Sequence, residues 1–449
     1  FWDGKTDDPA YRITTDWGAL DAYHAPSRNG KDAFATIRDG SQPWTFDDVE
    51  SPRNSSWFLC TLGARRALTF LEQQAEVDAA RLGVYGHSMG GKLTVMTVGS
   101  DSRVKAAAPS CGGVSDRTNK SALFRATIGD DAYLPRITCP IIFLSPANDF
   151  HGRIDDLQAA VQEIGSQEWR VTCAAHHNHQ DTPPFEVATQ LWFDQHLKSR
   201  FAMPKTPGSA LALDTGKGVP VFKVTPDASR PVRSVDVFYT QQGQVDGERS
   251  DHENTKARFW HHAKAVKGDH GWSAELPVFS IDKPLWVYAN VFYPLDQPVT
   301  GAGYYYRSYT AKEFNLSSLM VMVTPEQLEA AGIKATMKPS LLIEDFKGTW
   351  EKEWFSYRLE EWGRKTHKVY EPRWAAPEGA QLALQVRCEK ANKLVVGIDT
   401  FAAERSIEGG REWQNVVLNP GDFRNAVDEP LRGWTGIREL RLGAQETLR

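Results

Sequence analysis

The sequence predicts an α/β domain with a mainly parallel sheet, followed by two β-rich domains. Up to residue 200, short apolar runs alternate with helical stretches, the pattern of parallel strands joined by helical crossovers. Past Met203-Pro204-Lys205-Thr206-Pro207-Gly208-Ser209, which reads as a linker, the apolar period changes from helical to two. The 449-residue length suits about three domains, each able to bury its own core. The expected divisions are 1–202 for the α/β domain, 210–318 for an immunoglobulin-like sandwich and 341–449 for a second β-domain.

Residues 1–57 are rich in Asp, Gly, Pro and Ser and give no clear strand. Over 57–74, Phe58, Leu62, Ala67, Phe70 and Leu71 fall on one side of a helix. Leu82 and Val84 mark a short strand, Gly86-His87-Ser88-Met89-Gly90 a tight turn, and Gly91-Lys92 the opening of a helix. A strand at 104–108 follows, then an excursion or short helices over 119–134. The run 140–144 (PIIFL) is apolar throughout, as in a parallel strand buried on both faces. A helix at 155–164, a strand at 169–173 and an amphipathic helix at 185–197 close the domain. Beyond the linker, residues 233–240 alternate, and 257–265, 272–276 and 285–293 read as further short strands. A short helix at 325–331 leads to strands at 381–387, 393–399 and 413–418. Trp350, Trp354, Trp362, Trp374, Trp413 and Trp434 cluster in this last part, filling a core or stacking on sugar rings.

A net charge of −5 points to neither nucleic acid nor an anionic membrane surface. No apolar run approaches the roughly 20 residues that span a bilayer. The chain opens on FWDGKTDD with no signal peptide in view. Its five cysteines are widely spaced without a C-x-x-C pair and read as buried free thiols.

The strand-turn-helix around Ser88 carries the G-x-S-x-G pattern of a nucleophile elbow. Such a serine sits on a strained backbone, so Gly86 and Gly90 are expected where any Cβ would clash across the turn. The helix that follows turns N–H groups and its positive end toward the oxygen on which charge gathers in acyl transfer. Ser88 is therefore the candidate nucleophile, and the Met89 N–H half of an oxyanion hole. A serine needs a histidine to take its proton, and the histidine a carboxylate to hold its tautomer, in chain order Ser, acid, His. Asp149 lies in the loop leaving the 140–144 strand and is the candidate acid; Asp155 and Asp156 read as charges at the start of the next helix.

The base belongs after the last strand, where Ala175-His176-His177-Asn178-His179-Gln180-Asp181 offers three histidines. His179 is preferred and His176 is next, since periodicity does not separate them. His87 reads as packing against neighbouring strands. H-H-x-H and Asp149-x-His151 look ligand-rich, but nothing has the H-E-x-x-H spacing of a zinc enzyme, so neither metal nor cofactor is expected.

The motifs GVYGHSMGGKL, CPIIFLSPANDFHG and HHNHQ followed by LWFDQHL resemble the dienelactone hydrolase and acetyl xylan esterase-like branch of the α/β-hydrolases. The resemblance covers roughly residues 1–200 and implies Ser88, Asp149 and His179 as nucleophile, acid and base. It implies a multidomain esterase from polysaccharide degradation, secreted or periplasmic, whose last domain is a jelly-roll, carbohydrate-binding-like module. Members of the fold place several strands before the elbow and carry a second oxyanion donor there. Little before Leu82 looks like a strand, so residue 1 is expected not to be the natural start of the domain; the missing part was cut away or forms a separate chain.

The leading expectation is a carboxylic ester hydrolase acting through an acyl-enzyme, its substrate an acylated polysaccharide. One alternative is a serine peptidase of prolyl oligopeptidase type, although no propeller repeats are present. The other is a carbohydrate-binding protein with an inactive hydrolase domain.

Overall fold

The computed structural model describes residues 56–114, 116, 122–180, 182–243, 252–302, 308–357 and 363–444. The strand-poor reading of 1–57 lies outside them up to residue 55, as do Trp362 and Asp181.

The first part runs α1 (Ser56–Glu72), β1 (Leu82–His87), α2 (Met89–Val98), β2 (Val104–Ser110), α3 (Ala122–Thr127), α4 (Asp130–Tyr133), β3 (Ile141–Leu144), α5 (Leu157–Glu163), β4 (Trp169–Thr172) and α6 (Pro183–Lys198). Its four strands form a parallel sheet in the order β1-β2-β3-β4. This is the α/β-hydrolase fold. Register aligns His87, Ser110, Leu144 and Thr172 in one row, so the loops that follow all four strands leave the sheet at the same level. Carboxyl ends of parallel strands are where such folds place their chemistry.

One face of this sheet buries Ala107, Ile141, Phe143 and Val171 against Val95 of α2 and Leu157 and Ala160 of α5. The other face buries Ala106, Ala108, Ile142 and Leu144 against α6, through Phe185, Val187, Ala188, Leu191 and Trp192. That second core does not stop at α6. It continues into Val235, Val237, Val287, Ala289, Phe314 and Leu316 of the following sandwich, so the helix is apolar on two sides.

The sandwich comprises β5 (Gly208–Ala212), β6 (Val221–Thr225), β7 (Ser234–Thr240), α7 (His252–Ala257), β8 (His261–Lys264), β9 (Val266–Gly268), β10 (Gly271–Glu275), β11 (Leu285–Ala302), β12 (Ser308–Ser317), β13 (Val321–Val323) and α8 (Pro325–Ala330). Its two antiparallel sheets have the orders β5-β6-β10-β9 and β12-β11-β7-β8, with β13 also on β11. Three expectations are corrected here. The linker ends two residues early, because Gly208 and Ser209 pair with β6. The strand expected at 257–265 is the end of α7, an extended segment and β8. The sheet runs on to Val323, past residue 318, because β13 returns along β11. Thr324 and Gln327 then cap α8 reciprocally, and Leu328 joins the sandwich core.

The last part holds β14 (Gly363–Thr366), β15 (Leu382–Val386), β16 (Asn392–Ile398), β17 (Phe401–Ile407), β18 (Gln414–Leu418) and β19 (Leu440–Ala444), in sheets ordered β14-β19-β16-β17 and β15-β18. Its core gathers Trp354, Val396, Ile398, Leu418, Phe423 and Leu440, with Trp350 and Trp434 packed against it. Trp374 is buried as well, whereas Trp413 is 61% exposed. Among the described residues, no helix is long and apolar enough to cross a membrane.

Candidate active site

Ser88 sits between the end of β1 and the start of α2 with φ 61° and ψ −120°, outside the favoured regions for a side-chain-bearing residue. The crowding of this turn requires Gly86, where a Cβ would stand 2.3 Å from the Gly90 carbonyl oxygen. Gly90 itself has open space around its missing Cβ, so the expectation of a clash there is corrected. The second required glycine is Gly91, whose Cβ would meet the Ser110 carbonyl oxygen at 2.5 Å as α2 crosses the end of β2. Met89 begins α2, and its N–H, like the others of a first turn, has no carbonyl within the helix to bond.

His179 Nε2 lies 2.7 Å from Ser88 Oγ. Its Nδ1 lies 3.1 Å from Asp149 Oδ2 and 3.3 Å from Oδ1. The His179 ring is partly open to solvent, while the Asp149 carboxylate is fully enclosed. Asp149 Oδ1 also accepts the backbone N–H groups of His151 at 2.6 Å and Gly152 at 2.7 Å. Burial opposes the Asp149 charge, but the adjacent His179 and these hydrogen bonds outweigh it and hold the carboxyl at about 2. Asp149 is therefore a carboxylate at neutral pH, able to fix the His179 tautomer.

The other histidines are separated by their partners. His176 is buried among Phe238, Phe259 and Phe355, and its Nε2 bonds the Lys352 carbonyl oxygen at 2.9 Å. Burial pushes its pKa down to about 3. His177 reaches the carbonyl oxygens of Ala175 (2.7 Å) and Ser356 (3.2 Å). His87 bonds Ser110 Oγ on the neighbouring strand at 3.1 Å, yet its ring centroid is only 5.0 Å from that of His179. His151, lowered to about 4 by burial, lies 6.1 Å from His179 by the same measure.

Among the described residues, one set of nitrogen and sulfur atoms is close enough to consider for a metal. It consists of His87, Cys111 and His179, with ligand atoms within 4.8 Å of one another. Both ring nitrogens of His179 are already engaged by Ser88 and Asp149, so a metal there would have to displace the serine.

The braces behind this site gave no sign in the sequence. Asp155 does not act chiefly as a helix-end charge. Its carboxylate receives Arg258 of the sandwich through two bonds of 3.0 and 2.9 Å, with both side chains buried, and Arg153 at 3.1 Å. Tyr357 accepts the Asn178 N–H at 3.2 Å, and Asn290 and Asn315 both donate to the Cys173 carbonyl oxygen, at 3.1 and 3.0 Å. Apart from Arg153, these partners stand more than a hundred residues downstream, beyond the reach of any local pattern.

Residues 53–180 match the dienelactone hydrolase family model. Among solved structures, an acetyl xylan esterase from Paenibacillus sp. R4 is similar at 22% identity, over 35% of this chain and 59% of that one, with a TM-score of 0.31. Acetyl xylan esterase 1 from a Thermoanaerobacterium species gives 17% identity over 38% and 60%, also at 0.31. A puromycin-hydrolysing peptidase of Mycobacterium tuberculosis gives 18% over 32% and 26%, at 0.28. The chain thus spans about 60% of the length of the two esterases. Comparison with curated proteins gave no match.

Proposed function

We propose that this protein is a serine carboxylic ester hydrolase in which Ser88 is the nucleophile, His179 the general base and Asp149 the acid that orients it. The observation that carries the reading is the unbroken hydrogen-bond chain from Ser88 Oγ through His179 to a carboxylate held ionised. His179 removes the serine proton as Oγ attacks the ester carbonyl, and the Met89 N–H at the head of α2 stabilises the oxyanion. The alcohol leaves with the proton from His179. Water, activated by the same histidine, then releases the acid from Ser88.

The proposed substrate is an acetyl-type ester on a polysaccharide. The dienelactone hydrolase family match supports the ester. The last β-domain supports a sugar-bearing ligand through its exposed Trp413 indole, since the face not covered by the Arg387 guanidinium at 5.0 Å can stack on pyranose rings.

Labelling with a fluorophosphonate, read by intact mass, tests the site without the natural substrate. One adduct is expected on the wild type and none on Ser88→Ala. His179→Ala is expected to cost ester turnover nearly as much as Ser88→Ala, on the order of 10⁴-fold or more, because such residues act as a unit. Turnover of a simple acetyl ester by Ser88→Ala would overturn the assignment. A loss in His176→Ala matching that of His179→Ala, with the fold intact, would move the base to His176.

A further inference from the structure

We propose that Asn148 and Trp260 are positioning residues of the Ser88 site, through which the sandwich holds the acid-bearing loop and the base-bearing loop in fixed relation. This rests on the roles proposed above for Ser88, His179 and Asp149. Asn148 immediately precedes the acid and is fully buried. Its backbone N–H donates to the His177 carbonyl oxygen at 3.0 Å, and its Nδ2 reaches the His176 carbonyl oxygen at 3.4 Å. The same Nδ2 donates to the Arg258 carbonyl oxygen at 2.8 Å, while Oδ1 accepts the Trp260 indole N–H at 2.8 Å. An indole nitrogen only donates and a carbonyl oxygen only accepts, so these partners allow the amide one orientation. One side chain thus ties residue 148 to the His179 loop and both to residues 258–260.

The Trp260 ring is itself fixed, fully buried and packed edge-on to Tyr288 at 5.1 Å. The acid loop also meets the sandwich at Phe150, whose ring centroid lies 5.3 Å from the Lys256 ammonium of α7, but that contact holds no backbone of the base-bearing loop. The backbone N–H groups of Ser145 and Ala147 donate instead to the Thr172 and Ala174 carbonyl oxygens of the adjoining strand and loop. The contact between His179 and Asp149 depends on how two separate loops lie, and a drift of about 1 Å in such a constellation can cost on the order of 10²-fold in rate. Without the indole donor, Asn148 Oδ1 would be stranded in a dry site, and the loop would shift to find another partner.

Trp260→Phe removes the donor and keeps most of the ring, and Asn148→Ala removes the whole clamp. Each is compared with the full-length wild type by the rate of fluorophosphonate labelling across about pH 5–9, by the KM and kcat for a simple acetyl ester, and by thermal unfolding. Labelling and kcat are expected to fall about fivefold in Trp260→Phe and further in Asn148→Ala, with KM unchanged. The acid limb of the labelling profile should also shift, because the Asp149 carboxylate no longer meets the His179 ring in the same geometry. Among the described residues, the titratable groups around His179 include Asp149, His87, His151, the Cys111 thiol and Tyr357, and neither substitution touches any of them. A wild type that takes no label would overturn the reading of Ser88 itself. A labelled wild type matched by Trp260→Phe in rate and acid limb would overturn this inference alone. So would a slower variant whose limb stays put while its melting temperature falls, since that marks a ring that only fills space.

Discussion

At the residue scale, several enclosed side chains hold a fixed charge state that folding enforces. His151 and His176 are kept neutral, at about 4 and about 3, because burial penalises the imidazolium. Unfolded, both would titrate near the ordinary histidine value of about 6.5. The unfolded chain therefore binds more protons below that pH. Their contribution is complete above about 6.5 and is lost progressively as pH falls toward 4 and then 3. Asp149, lowered to about 2, adds stability above its ordinary value of 3.8 that disappears as pH falls through about 2. Urea unfolding midpoints are expected to drop from about pH 6.5 downward, most steeply between about pH 6 and 4, where the unfolded chain binds both histidine protons and the fold neither. His176→Phe should flatten that slope by about one proton's worth; an unchanged slope would mean the ring is charged in the fold.

At the element scale, the loops after β3 and β4 are stiff because later segments grip them. The buried pair Arg258–Asp155 joins the start of α5 to the stretch before β8. Removing the arginine leaves an aspartate partly unbalanced in the interior, although Arg153 remains. Arg258→Met is expected to cost about 3 kcal/mol of unfolding free energy, and Arg258→Met with Asp155→Leu to recover much of it. Equal stabilities for the two variants in denaturant titrations would show the pair to be inconsequential. This gripping also sets what the sequence could reveal. The strands at 140–144 and 169–173 and the elbow were legible, because buried parallel strands and a strained Gly-Ser-Gly turn leave local signatures. Ser88, His179 and Asp149, the residues proposed for the site, lie within hydrogen-bond distance of one another in that order. The hydrogen bonds that set His176 and His177 apart from His179 were not legible, since Lys352 and Ser356 supply them from another part of the chain. Likewise β14 and β17 are charged or short on apolar residues, and alternation alone does not announce them.

At the scale of the whole molecule, α6 is shared property. Its buried face serves the parallel sheet on one side and the sandwich on the other, and neither half has a complete core without it. A fragment ending at residue 202 would expose the sandwich-facing side of Trp192, Leu191 and Val187, along with the unsatisfied Cys173 carbonyl that Asn290 and Asn315 now cap. Such a fragment is expected to be collapsed without fixed packing, with far-ultraviolet dichroism retained and near-ultraviolet dichroism lost. A sharp near-ultraviolet spectrum from it would show the α/β part to be self-sufficient. The sharing has a consequence in time. The His179 loop emerges from the ribosome about 170 residues before the stretch at 352–357 that seats it, a lag of about 10–30 s at synthesis rates of about 5–20 residues per second. Through that interval the proposed base lacks the Tyr357 hydroxyl that holds its neighbour Asn178. On the roles proposed for these residues the chain arms itself late, and an incomplete product, stalled or clipped, is left without a seated base.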